Sequence, residues 1–288
     1  MKAVEQIVRE PAPHWVGDGF PVRSLLSYAN GNQYDPFLLL DYAGPFEFEP
    51  GQAKRGVDEH PHKGFETVTI VYQGELEHGD SSGSHGTIGP GDVQWMTAGS
   101  GIVHEEFHSR RFTEIGGTLE MVQLWVNLPS EAKKSPPGYQ EIRNQQIPSV
   151  ALPNGAGVIR VIAGDYHGTR GPARTFTLML VCDVRLKDNG HVEFEIPDSH
   201  TAAIVVQSGS AKVNDRETAD SVSLVRFGRS GSAIALHALG DARILLLAGA
   251  PIGEPVVGQG PFVMNTQSEI REAIRDYQSG KMGRVSRT

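Results

Sequence analysis

The chain reads as a series of short apolar runs, each closed off by turn residues. Residues 67–72 (TVTIVY), 121–127 (MVQLWVN), 158–163 (VIRVIA), 176–181 (FTLMLV), 191–196 (HVEFEI), 203–207 (AIVVQ) and 242–247 (ARILLL) are rich in Val, Ile, Leu and Thr. Runs of this length suit strands and are too short for ordinary helices. Gln73-Gly74, Gly89-Pro90-Gly91-Asp92, Asn189-Gly190 and Ser208-Gly209 mark turns between them. Residues 191–196 alternate polar and apolar, as a strand with one wet face does. Many short strands with glycine and proline between them predict an all-β sandwich or barrel, not an α/β alternation.

A chain of 288 residues has room for two such domains. Residues 70–74 (IVYQG) and 205–209 (VVQSG) are alike in kind, a faint sign of two copies of one fold. Residues 129–139 (PSEAKKSPPGY) read as a linker, which places the domains at 1–130 and 131–288. The tail breaks the β pattern. Thr266 followed by Glu269 is a capping box, Ile270, Ala273, Ile274 and Tyr277 recur at helical spacing, and Gly280 suits the stop. An amphipathic helix is expected at about residues 267–279.

The formal net charge of −8 disfavours direct nucleic-acid binding. The single cysteine, Cys182, cannot form an intramolecular disulfide and sits in an apolar run, so a buried structural thiol is expected. The first ten residues are charged and carry no signal-like apolar stretch, and residues 244–250 are too few to span a bilayer. A cytoplasmic protein, monomeric by default and without a membrane role, is the expectation.

The chemistry concentrates in the histidines. His60-Pro61-His62 puts two imidazoles on one face of an extended segment, roughly 6–7 Å apart. Pro61 lacks an N–H, so this segment should be an edge or the end of a strand. His104 and Glu106 form a second same-face pair further on. Three imidazoles and one carboxylate from two strands suit Fe, Ni, Co, Mn, Cu or Zn, and leave about two positions open on an octahedral ion. Glu66 competes for the carboxylate role. It shares the parity of His60 and His62 in an HxHxxxE spacing, yet four residues of straight strand span about 13 Å. Glu66 therefore stands as an alternative fourth ligand or as a group behind the ligands. His78 and His85 flank glycines and read as solvated loop histidines. His108 shares the parity of Glu106 and could line the same face. Trp95, Met96 and Phe65 read as core packing beside the site. No Walker loop or CxxC pair is present.

Residues 60–69 (HPHKGFETVT) and 91–104 (GDVQWMTAGSGIVH) closely resemble the signature of the pirin family. Residues 35–41 (DPFLLLD) and 260–265 (GPFVMN) resemble further family segments, so the likeness spans nearly the whole chain. The resemblance implies a bicupin: two β-barrel (jelly-roll) domains and a closing C-terminal helix. It implies one divalent metal ion, iron(II) first, in the N-terminal cupin, held by His60, His62, His104 and Glu106. On this point the resemblance favours Glu106 over Glu66. It implies a C-terminal cupin without metal, in keeping with the isolated His191, His200 and His237. The activity implied is that of a quercetinase, a quercetin 2,3-dioxygenase-like oxidoreductase that cleaves a small phenolic flavonol with O2 and releases carbon monoxide. Glu106, or alternatively Glu66, would act as general base. Other family members are redox-sensing regulatory proteins that bind a protein partner, and a different small-molecule enzyme on the same scaffold is a third reading. Glu105 departs from the small residue common between the ligands, and is expected to add negative charge near the mouth.

Overall fold

The computed structural model describes residues 1–286. Two compact units divide the chain, and they are not consecutive. One unites Ala12–Asn32, Phe37–Asn144 and the segment from Gly253 on; the other unites Met1–Pro11, Gln33–Pro36 and Gln145–Ile252. The tail thus belongs to the unit that carries the HxH pair.

The two units repeat one plan. The unit with the HxH pair has a seven-stranded sheet in the order Gly138–Ile142, Val93–Thr97, Phe65–Gln73, Gly117–Asn127, Phe37–Phe48, Phe20–Ser27, His14–Val16. Its second sheet has four strands, Gly56–His62, Ile102–His108, Leu76–Asp80 and His85–Ile88. In the other unit a seven-stranded sheet centres on Thr201–Ser208, Ala242–Gly249 and Met179–Leu186, beside four strands from His191–Glu195 to Glu217–Asp220. The strand orders have free ends in both units, so the expected barrels are pairs of open sheets, not closed cylinders.

Burial follows the runs. Phe65–Gln73 is buried on both faces up to its last residue, as expected for a central strand. His191–Glu195 alternates exposed and buried residue by residue. One core gathers Phe194, Ile204, Leu236 and Leu246 around Cys182, whose thiol is pushed up by burial and by the neighbouring Asp183 charge. Burial and a raised pKa make that thiol inert, as expected of a structural cysteine. One run departs from expectation: Phe176 and Leu178 are exposed and the strand starts only at Met179.

The tail helix spans Gln267–Gln278. Thr266 Oγ1 accepts from the Glu269 N–H at 3.2 Å, and Glu269 Oε2 reaches back to the Asn265 N–H at 3.2 Å. Ile270 and Ala273 pack with Val103, Phe262 and Met264, whereas Tyr277 stays 41% exposed and outside that contact. Gly280 follows with φ +76°, the left-handed stop its position suggests. Thr266→Ala should cost about 1 kcal/mol by removing the cap, and Thr266→Ser should restore most of it. Equal denaturation midpoints for the two variants would show that the cap contributes nothing. Among the described residues no helix is long and apolar enough to cross a membrane.

Candidate metal centre

Gly56–His62 is the hydrogen-bonded edge of the four-stranded sheet, which accommodates Pro61 without a lost ladder bond. Immediately after it the chain turns at Gly64, with φ +89°. A Cβ at Gly64 would sit 2.1 Å from the Val263 carbonyl oxygen, so only glycine fits. Ile102–His108 pairs antiparallel with this edge, His104 opposite His60 and Ile102 opposite His62, and the register shifts between His104 and Glu106. The shift is a bulge, a device that re-aims side chains beside sites.

The register brings three imidazoles together. Ring centroids lie 4.3 Å apart for His60 and His104, and 4.8 Å for His60–His62 and His62–His104. One ring nitrogen from each lies within 4.8 Å of the others, a set that could hold a metal ion. His60 Nδ1 contacts the Asp58 carbonyl at 2.8 Å, leaving Nε2 for a ligand. His104 Nε2 is buried with no hydrogen-bond partner, an orphan that coordination would satisfy. Burial first, and the adjacent His60 second, push the pKa of His62 and of His104 well below the ordinary 6.5. Both rings are therefore neutral, the form that ligates. Phe65 and Trp125 pack edge-on against His62, with centroids 5.1 and 5.4 Å away, and hold it from the seven-stranded sheet.

Glu106 is buried, with Thr69 Oγ1 3.2 Å from Oε1 and Gln123 Nε2 donating to Oε2 at 3.0 Å. It forms a second metal-capable set with His104 and His78, again within 4.8 Å. Glu106 also lines, with His60 and His62, a cavity of about 210 Å³. Val22, Leu39 and Trp125 are among its apolar walls, and Asp41 and Gln123 add polar groups.

Other expected residues fall elsewhere. Glu66 accepts from Thr97 Oγ1 at 2.7 Å and is pushed up to about 7 by burial. It alternates to the opposite face of its strand from Thr69, which meets Glu106, and joins neither histidine set. His108 contacts the Gly19 carbonyl at 2.9 Å among Phe20, Phe48 and Phe112, away from both sets. Glu105 does not charge the cavity as expected. It alternates away from Glu106 and pairs with Lys54 at 3.4 Å. His85 is exposed, in keeping with a solvated histidine, but it opens the strand His85–Ile88 and is not a loop residue.

His78 overturns its expectation. It is a buried strand residue, not a loop residue, directly opposite Glu106 in the Leu76–Asp80 ladder. Its Nε2 lies 3.2 Å from Asp80 Oδ2 and its Nδ1 lies 3.5 Å from His104 Nδ1. Against the burial that would raise it, hydrogen bonds from His78 and Ser82 hold the Asp80 carboxyl below the usual range. An HxD spacing at His78 and Asp80 was the available signal.

Two like units of antiparallel sheets, one with converging buried histidines, define a two-domain cupin protein with a metal-capable site. Residues 19–126 match the model of the Pirin family, and residues 181–283 match that of the Pirin C-terminal cupin domain. A Pseudomonas aeruginosa protein named "Putative quercetin 2,3-dioxygenase" is 54% identical over 286 residues, covering 99% of this chain and 100% of the relative. A pirin-like protein of Caulobacter vibrioides is 40% identical over 92% of this chain and 94% of its own length. The crystal structure of quercetin 2,3-dioxygenase from Acinetobacter baumannii superposes with a TM-score of 0.96 at 49% identity, covering 99% and 100% of the two chains. The chain belongs to the pirin family.

Proposed function

We propose that this protein is a metal-dependent quercetin 2,3-dioxygenase, opening a flavonol ring with O2 and releasing carbon monoxide. The metal is one divalent ion, iron(II), and its ligands are His60, His62, His104 and Glu106. The observation that carries this reading is the convergence of three imidazoles with Glu106 nearby, two of the rings held neutral by burial. The names borne by the Pseudomonas and Acinetobacter relatives supply the substrate class.

Iron at this position would acidify the flavonol 3-hydroxyl and provide the redox chemistry that O2 requires. The protein's part is positioning and proton handling. Val22, Leu39 and Trp125 present apolar surface to flat aromatic rings and keep water from the reacting face. At about 210 Å³ the cavity lies below the usual range for drug-sized ligands, about 300–1,000 Å³, so part of the substrate projects from its mouth. Glu106 is the general base. Gln123 Nε2 donates to its Oε2 at 3.0 Å and holds the carboxylate in place at the cavity wall. Glu66, the alternative base, faces away from Thr69 and the cavity and serves the fold instead.

Iron-loaded protein should consume O2 on addition of quercetin and release carbon monoxide in equal amount. His62→Ala should lose both the metal and the uptake while remaining folded. Protein carrying stoichiometric iron that takes up no O2 with quercetin would overturn the assignment of substrate, and full iron content in His62→Ala would overturn that of the ligand.

A further inference from the structure

We infer that His78 and Asp80 form a hydrogen-bonded relay that sets the tautomer and the ring plane of His104, making them positioning residues of the metal centre. The inference rests on the reading of His104 as a ligand.

The chain of contacts runs in one direction. Asp80 is fully buried, and its Oδ1 is occupied by the Ser82 and Ser84 N–H groups and the Ser82 hydroxyl. Its other oxygen, Oδ2, faces His78 Nε2 at 3.2 Å. A carboxylate accepts only, so His78 carries its proton on Nε2 and turns a bare Nδ1 outward. That nitrogen faces His104 Nδ1 at 3.5 Å. Two bare nitrogens would repel, so His104 carries its proton on Nδ1 and donates it to His78. The lone pair of His104 is then on Nε2, the atom that has no partner in the fold. Metal-binding histidines are commonly fixed by just such a bond from the other ring nitrogen, though usually to a carboxylate, carbonyl or water. Here an imidazole takes that place and passes the constraint to the carboxylate behind it. At 3.5 Å the inner contact is long for a hydrogen bond.

The surroundings hold the relay rigid. Tyr139 stacks on His78 with centroids 5.2 Å apart and planes 16° apart. His78 and Asp80 stand directly opposite Glu106 and His104 in the ladder, so strand pairing sets the approach. On its outer side His78 lines a separate cleft of about 350 Å³ with Glu77, His85 and Glu105. The Asp80 carboxylate, not that cleft, fixes which nitrogen of His78 is protonated.

The test uses cobalt(II) and the full chain. In metal-free protein, two-bond 1H–15N spectra should show His104 protonated on Nδ1 and His78 on Nε2. His78→Leu should weaken cobalt(II) binding about 10- to 100-fold and alter its ligand-field absorption. His78→Asn, whose Oδ1 stands near the lost acceptor, should stay within about threefold of wild type. Asp80→Asn keeps the shape and the Oδ1 acceptor but offers an amide N–H to His78, inverting its tautomer. It should lose affinity as His78→Leu does, and it carries the test if the leucine variant does not fold. Wild-type affinity and spectrum in His78→Leu or Asp80→Asn, equal losses in the asparagine and leucine variants at His78, or His104 protonated on Nε2 would each overturn the relay. His104→Ala separates the two levels. Loss of cobalt(II) there with none in the His78 and Asp80 variants removes the relay alone, and retention there removes the metal reading beneath it.

Discussion

Of the three histidine variants, His104→Ala empties the metal centre most completely. His104 belongs to both metal-capable sets and is fully buried, so its missing nitrogen is harder for bulk water to replace than that of an exposed ligand. His60 lies nearer the surface, only partly buried, and water can occupy the position it leaves. Removing a ligand costs more than removing a group behind one, for which losses of about 10- to 100-fold are typical, so the His104 variant should fall by more than about 100-fold. His60→Ala should fall less, with His62→Ala between them. The fold should survive in all three, at a cost of no more than about 3 kcal/mol each, because His104 Nε2 bonds to no other protein atom and the sheets carry the core. Elemental analysis of each purified variant and competition against a chelator read the order directly. A His104→Ala protein with the wild-type metal content would remove the centre as described, and the reverse order would place the ion nearer His60 than the burial pattern allows.

What was legible in the chain was local. Same-face spacing in His60-Pro61-His62 and in His104 and Glu106 needs only the period of a strand, and the cap at Thr266 needs only four residues. Parity failed where the chain turned. Glu66 shares the count of His60 and His62, but the strand ends at His62, Gly64 turns the backbone, and Phe65 opens a new strand whose faces are reset. Parity likewise could not place His108, because strand direction carries it past the site into the cluster of Phe20, Phe48 and Phe112. His78 was hidden for the opposite reason. Gly79 looked like the start of a loop, yet it lies inside Leu76–Asp80, and the turn begins only beyond Asp80. What makes His78 part of the site is its pairing with Glu106, a contact 28 positions away that no local pattern encodes. The same limit applies to the units: nothing in the composition around Gly253 says that the tail rejoins the unit with the HxH pair.

Replacing Lys133 should produce the largest loss of stability of any single polar change in the unit that holds the site. Lys133 lies within the stretch that reads as a linker, yet it is 2% exposed. Its Nζ donates to Asn127 Oδ1 at 2.7 Å, to the Gly64 carbonyl at 2.8 Å and to the Val263 carbonyl at 3.0 Å. Lys133→Met keeps most of the buried methylenes and removes the donor, leaving three buried acceptors without it. Each unsatisfied group costs about 1–3 kcal/mol and such losses overlap, so a total of about 3–5 kcal/mol is expected. For a unit of this size that lowers the melting temperature by about 10 °C. The effect should reach the metal. Gly64 is the turn that follows His62, and the Val263 N–H donates to the Lys63 carbonyl at 3.0 Å, so the ammonium ties both sides of that turn together. Freed of it, His62 loses its fixed bearing, and metal should dissociate faster from Lys133→Met than from a variant of equal instability in the other unit, such as Phe194→Leu in the core around Cys182. Calorimetry and a chelator-chase measurement on the two variants separate the claims: an unshifted melting temperature refutes the clamp, and equal release rates refute its link to the histidines.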